Sequence, residues 1–209
     1  NNQEALDILR TALEIFPEDR QLLLAEITVR GQAGEPFEKL IEEYKTRYPN
    51  DPDMAVVTAR LRPSRANRIR LENALWGYVL ENPANSRYAG YLAASLIASQ
   101  DTEGLSRLIG VWEEANGTTG WSLFLEGYRA VLEEDADAAI EAFSSSYGYK
   151  ALWETAYNLG VLFEKKKSYD RAIESFRKAE TNVAQIEEAM EKNAFVRAAT
   201  ARVHYAREY

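Results

Sequence analysis

The stretch ALWETAYNLGVLFEKKKSYDRAIESFRKAE, residues 151–180, is the most legible part of the chain. Trp153, Ala156, Leu159, Gly160 and Phe163 recur at helical intervals, and a polar run at 165–167 then interrupts them. Tyr169, Ala172, Ile173, Phe176 and Ala179 start the pattern again. Apolar residues spaced i, i+3, i+4 give each segment one apolar stripe, so the stretch predicts two helices joined by a short turn. One such hairpin cannot bury both stripes alone, so it has to stack on others.

Copies of the pattern run upstream. Gly127 precedes Gly160 by 33 residues, and the same interval links Ala139 to Ala172 and Phe143 to Phe176. Steps of 34 lead to Leu105 and Ile109, then Leu71 and Leu75, then Phe37 and Ile41; a step of 32 reaches Ala5 and Leu9. Three residues further on in each copy stand Ala12, Tyr44, Tyr78, Trp112, Ser146 and Ala179. Pro17, Pro49 and Pro83 close successive copies, and Gly117 takes the same place next. A fixed period of this length marks a repeat architecture.

The pattern resembles the tetratricopeptide repeat, which carries L-G-x-x-Y in its first helix and A-x-x-x-F-x-x-A in its second. Leu159, Gly160, Ala172, Phe176 and Ala179 match; Phe163 stands for the usual Tyr, Ala156 for the usual Trp, and the closing Pro is missing. The resemblance implies an all-α fold, a right-handed α-α superhelix of stacked antiparallel hairpins. The repeat array is expected over residues 1–186, with a partial copy near 1–19 and full copies near 20–51, 52–85, 86–119, 120–152 and 153–186. Residues 187–209 are expected to form the C-terminal part of a capping helix that starts at 183. Asn182 and Gln185 read as its capping box. Small residues such as Ala139 and Ala172 should let helices approach closely, with Phe143 and Phe176 filling the space to the next hairpin. The chain starts on a second helix and without Met, so the parent protein is expected to carry at least one helix upstream.

Composition narrows the function. With 46% apolar and 28% charged residues the chain reads as a soluble folded protein. No apolar run nears the roughly 20 residues of a membrane span. The absence of Cys excludes disulfides, thiolate metal sites and cysteine catalysis, and is compatible with either cytoplasm or periplasm. Net charge of −8 disfavours nucleic acid and anionic membranes at long range. His204, the single histidine, has no marked catalytic partners, and no phosphate loop, GxGxxG or HExxH is present. No catalytic residue, metal or cofactor is expected.

The candidate site is a groove. In the family the sequence resembles, first helices line the inner surface and bind a protein or peptide there. Carried over by register, the inward positions are Trp121, Phe124, Tyr128 and Val131, then Glu154, Tyr157, Val161 and Glu164, and in the preceding copy Arg87, Gly90, Ala94 and Ile97. Trp121, Phe124, Tyr128 and Tyr157 would form an aromatic wall, unless a shifted register makes them core. Asn158 matches a family position that bonds a ligand backbone, but no Lys array accompanies it, so a terminal-carboxylate clamp is not expected. The expected role is a non-enzymatic scaffold or adaptor of bacterial style with a protein or peptide partner. The alternatives are RNA or polyanion binding through Arg60, Arg62, Arg65, Arg68 and Arg70, or service as the positioning arm of a larger protein. A solvated turn balancing an acidic surface accounts for the same arginines.

Overall fold

In the computed structural model, residues 2–49, 51–183, 196, 199, 200, 202 and 203 are described. Among them are eleven helices and no strand: α1 (Asn2–Ile15), α2 (Arg20–Ala33), α3 (Glu38–Arg47), α4 (Pro52–Leu61), α5 (Arg65–Glu81), α6 (Ser86–Ser99), α7 (Thr102–Asn116), α8 (Gly120–Leu132), α9 (Ala136–Tyr149), α10 (Trp153–Lys165) and α11 (Tyr169–Val183). The fold is all-α, as the period predicts. The chain packs as two compact units, residues 1–95 and 96–209, with the boundary inside α6.

The helices start where side chains can satisfy their free N–H groups. Asp19, Asp51, Ser64, Asp101, Thr119 and Asp135 each accept a backbone N–H of the following turn. Thr119 and Ser122 form a reciprocal capping box on α8. Pro52 opens α4, where a missing N–H costs nothing.

The turns within the hairpins repeat more faithfully than the sequence does. Gly34, Gln100, Glu134 and Lys167 have φ of 75°, 59°, 61° and 57°. Each donates its N–H three residues back, to Gly31, Ile97, Val131 and Glu164. The next residue in each case donates five back, to Arg30, Leu96, Ala130 and Phe163. This is one left-handed helix stop used four times. The α4–α5 turn is the exception. It runs through Pro63, and no residue between α4 and α5 has positive φ.

In the first unit, Leu24, Ile27, Ile41, Tyr44 and Met54 form a core cluster. Leu6 of α1 and Leu75 of α5 are fully buried. Two acids are buried with them. Glu26 accepts Arg30 Nε and Nη2 at 2.9 and 2.7 Å. Asp53 lies among the starts of α2, α4 and α6, where Arg20 Nη2 is 2.6 Å and Arg87 Nη2 2.9 Å from its two oxygens.

The core of the second unit is nearly uncharged. It gathers Ala139, Phe143, Ala156, Leu159, Phe163, Ala172, Phe176 and Ala179, together with Val196, Ala199 and Val203 of the C-terminal segment. Its buried polar side chains include Ser122, Ser146, Thr155 and Ser175. Phe143 and Phe176 share one core cluster with residues of the neighbouring helices. Each ring lies on the first helix of its own hairpin, where a Cβ on Gly127 would stand 2.5 Å from Phe143 and one on Gly160 2.5 Å from Phe176. Glycine is needed there because the ring occupies the place of a side chain.

The end of the chain departs from expectation in one respect. Asn182 is helical, inside α11, and its Nδ2 donates to Tyr147 Oη at 3.1 Å instead of capping a new helix. Gln185, His204 and most of the expected last helix lie outside the described residues. Five of its positions, 196, 199, 200, 202 and 203, are helical.

Candidate binding surfaces

Six of the seven groove residues, Trp121, Phe124, Tyr128, Tyr157, Asn158 and Val161, lie in the second unit on α8 and α10 and are half-buried. The rings rest on other aromatic rings. Trp121 is 4.5 Å from Trp112, Phe124 and Tyr128 are 5.7 and 5.6 Å from Phe143, and Tyr157 is 5.3 Å from Phe176, measured between centroids. Each therefore presses one side on the core and keeps part of its surface in solvent. Phe124 and Tyr128 also meet edge to face at 4.9 Å, which fixes both rotamers.

The polar groups nearby are partly engaged. Glu164 holds Arg202 through two bonds of 2.8 and 2.5 Å. Burial pushes the Tyr157 phenol above its ordinary pKa; Arg202 pulls it down and Glu164 adds to the rise. The Asn158 Nδ2 is buried and has no hydrogen-bond partner among the described residues. The same holds for Trp153 Nε1 and Thr155 Oγ1 on the same helix. An unpaired buried amide is costly.

Arg87, the seventh groove candidate, belongs to the first unit. Its guanidinium pairs with Asp53 and lies over Tyr88 and Tyr91, 5.3 and 5.9 Å from their centroids. Its pKa is raised, first by its bond to Tyr91 and against the cost of burial, with Asp53 adding to the rise. Arg20 is raised too: burial opposes the charge, and Asp51, Tyr88 and Asp53 together outweigh it. Asp51 ties a further element in, capping α4, lying 3.2 Å from Arg20 Nη1 and accepting the Tyr44 hydroxyl.

Sequence reading missed this cluster. The stretch Asp51-Pro52-Asp53 looks like an ordinary helix start, a cap followed by an acid favourable to the helix dipole. Nothing in it signals that Asp53 is only 3% exposed.

The five arginines of the basic segment do not converge. Arg62 bonds Glu38 and sits over Phe37, Arg68 approaches Glu72 at 3.9 Å, and Arg70 reaches Asn67 at 3.4 Å. Arg65 opens α5. Arg60 lines a cleft of about 220 Å³ between α2, α4 and α6, whereas Arg70 lines a separate one of about 590 Å³ among α3, α4 and α5. Leu24, Val56, Val57 and Leu61 supply the apolar walls of the smaller cleft, and Arg60, Arg87 and Tyr91 its polar side.

Among the described residues no group of three or more His, Asp or Glu is placed to hold a metal ion, and no helix is long and apolar enough to cross a membrane.

No protein-family model matches the sequence, and no curated protein matches it either. Solved structures do match in shape. MamA 41-end from Desulfovibrio magneticus RS-1 superposes with a TM-score of 0.55 at 18% identity, over 81% of this chain and 98% of that one. TTC0263, a thermophilic TPR protein of Thermus thermophilus, gives 0.57 at 14%, over 94% and 98%. The APC/C hetero-tetramer Cut9-Hcn1 gives 0.57 at 15%, over 99% of this chain and 43% of that one. With four hairpins closed by one recurring turn among the described residues and these neighbours, the chain has the fold of the tetratricopeptide-repeat proteins, built of helical hairpins.

Proposed function

We propose that the chain is a non-enzymatic scaffold or adaptor that binds a protein or peptide along its first helices. The observation that carries the proposal is the strip of half-buried rings on α8 and α10, Trp121, Phe124, Tyr128 and Tyr157, each braced from behind by another aromatic ring. Braced rings lose little conformational entropy on binding, which suits them to act as anchors worth on the order of 2 kcal/mol each. The Cut9-Hcn1 neighbour is itself part of a protein assembly, which agrees with this reading.

RNA binding through residues 60–70 is the weaker reading. Its arginines separate onto different clefts, and Arg62 and Arg68 already face acids. Polyanion binding draws its strength from several cations acting together.

The test is affinity capture with the purified chain beside a Trp121→Ala, Tyr157→Ala double variant. Proteins retained by the first should be lost by the second, with the helical circular dichroism of the two alike. Equal retention would remove the ring strip from the site.

A further inference from the structure

We infer that Asn116 is a site of self-modification, where the chain converts its own side-chain amide to aspartate and isoaspartate at the joint between α7 and α8.

The sequence holds a single Asn-Gly pair, Asn116-Gly117. Asn116 ends α7, is exposed, and donates its Nδ2 to the Trp112 carbonyl at 3.0 Å. Gly117 donates its N–H to the Glu113 carbonyl at 2.8 Å. The end of α5 carries a close counterpart. Tyr78 and Asn82 stand 34 residues before Trp112 and Asn116. Asn82 is exposed as well, and its Nδ2 donates to the Tyr78 carbonyl at 3.2 Å. The two places differ in the residue that follows, Pro83 in one and Gly117 in the other.

That difference decides the chemistry. An asparagine loses its amide when the next backbone nitrogen attacks its Cγ. Proline has no N–H to give up, so Asn82 is inert by this route. Gly117 has one, and nothing crowds it: a Cβ at this position would meet no atom within 4 Å. Solvent base takes the Gly117 proton, the nitrogen bonds to Asn116 Cγ, and Nδ2 leaves as ammonia. The product is a cyclic imide. Water then adds to one of its two carbonyls. Opening at Cγ restores the original backbone, with aspartate at 116. Opening at the Asn116 main-chain carbonyl routes the backbone through the side chain, as isoaspartate, and lengthens it by a methylene. Water is the only co-reactant.

The fold sets the pace. The last turn of α7 holds both reacting groups, the nitrogen through Glu113 and the amide through Trp112. Ring closure also requires Asn116 to leave helical backbone angles. The reaction therefore waits for that turn to open, and helix ends open at small cost. Thr119 and Ser122 fix the start of α8 with their capping box, so the turn that yields is the one in α7. The product does not fit back as well. A carboxylate has no hydrogen to give Trp112, and it adds charge beside Glu113 and Glu114 at the negative end of the helix dipole.

The experiment follows the whole chain in mildly alkaline buffer, folded or in urea, by peptide mass spectrometry over time. Isoaspartate is identified by enzymatic methylation of its free α-carboxyl. Conversion is expected at Asn116 and not at Asn82, about tenfold slower in the folded chain than in urea. Pro83→Gly, with helical circular dichroism unchanged, should create the reaction at Asn82, and Asn116→Gln should abolish it at 116. An Asn116 that stays intact in the folded chain long after the urea sample is exhausted overturns the inference. So does conversion of Asn82 in the unaltered chain at the rate of Asn116, which would leave Gly117 no part in it. Aspartate without isoaspartate would mean direct hydrolysis by water and overturns it too. Equal rates in buffer and urea would overturn the control by α7.

Discussion

The two units use different means to bring helices together. The first buries charge: Glu26 with Arg30, and Asp53 with Arg20 and Arg87. The second buries rings against glycine, Phe143 on Gly127 and Phe176 on Gly160, and its buried polar residues among those described are the neutral Ser122, Ser146, Thr155 and Ser175. Buried ion pairs give direction but little net stability, since desolvation offsets most of the attraction. Ring-on-glycine contacts give close packing and tolerate almost no change of volume. The difference teaches that one repeat period can be met by two kinds of interior. It also predicts that the units fail in different ways.

The largest effect should come from the ring. Phe176→Ala removes a fully buried side chain and leaves a cavity, so the second unit should lose about 4 kcal/mol, read by urea unfolding and by amide exchange in α10 and α11. Next is Asp53→Ala. It leaves Arg20 and Arg87 without their shared counter-charge, but these side chains are 36% and 53% exposed, so solvent recovers much of the loss. A cost of about 2 kcal/mol is expected, confined to exchange in the first unit. A result as large as the Phe176 one would erase the contrast.

Paired glycine substitutions sharpen it further. Gly160→Ala drives a methyl into the Phe176 ring and should cost about 1.5 kcal/mol. Gly110→Ala on α7 meets nothing within 4 Å and should stabilise by about 0.8 kcal/mol through helix propensity alone. Thermal unfolding of the two single variants gives both signs.

The smallest effect is alkaline. Burial first, then the bond to Asp51 and its charge, push the Tyr44 phenol well above its ordinary value near 10, against the pull of Arg20. Tyr88 is raised as well, mainly by burial. The unfolded chain releases these protons as pH passes 10 while the folded chain keeps them. Stability contributed by the protonated phenols is therefore complete below pH 10 and lost above it. Tyr44→Phe should flatten the fall of stability between pH 9 and 11, measured by urea midpoint. An unchanged slope would remove Tyr44 from the account.

Much of this architecture was readable in the residues. The helices α4, α5 and α6 start and stop inside the copies expected near 52–85 and 86–119, because the period and the closing Pro49 and Pro83 agree there. The phased Gly127, Phe143, Gly160 and Phe176 were legible as a pattern, but their meaning was not. Spacing says that a ring and a glycine recur, and only the packing shows that the ring presses on its own hairpin. Among site residues, Trp121, Phe124, Tyr128 and Tyr157 could be named from register, yet register does not tell core from groove, and the rings are half-buried. Arg60 and Arg70 are close in sequence yet line different clefts, because Arg60 sits on α4 and Arg70 on α5. Asp53 was hidden because an acid at a helix start has a sufficient local reason to be there.

The left-handed stop that joins four of the hairpins carries Gln100, Glu134 and Lys167 in three of them, residues for which that backbone shape costs roughly 1 kcal/mol each. Because the hydrogen-bonded geometry is shared, each joint works as a standard fitting. The segment from α8 through α9 could be grafted in place of α10 through α11 without redesigning the connection inside it, and a glycine at any of the three positions would relax the joint. An engineer could lengthen or shorten the array by whole cassettes, at every hairpin except the one that turns through Pro63.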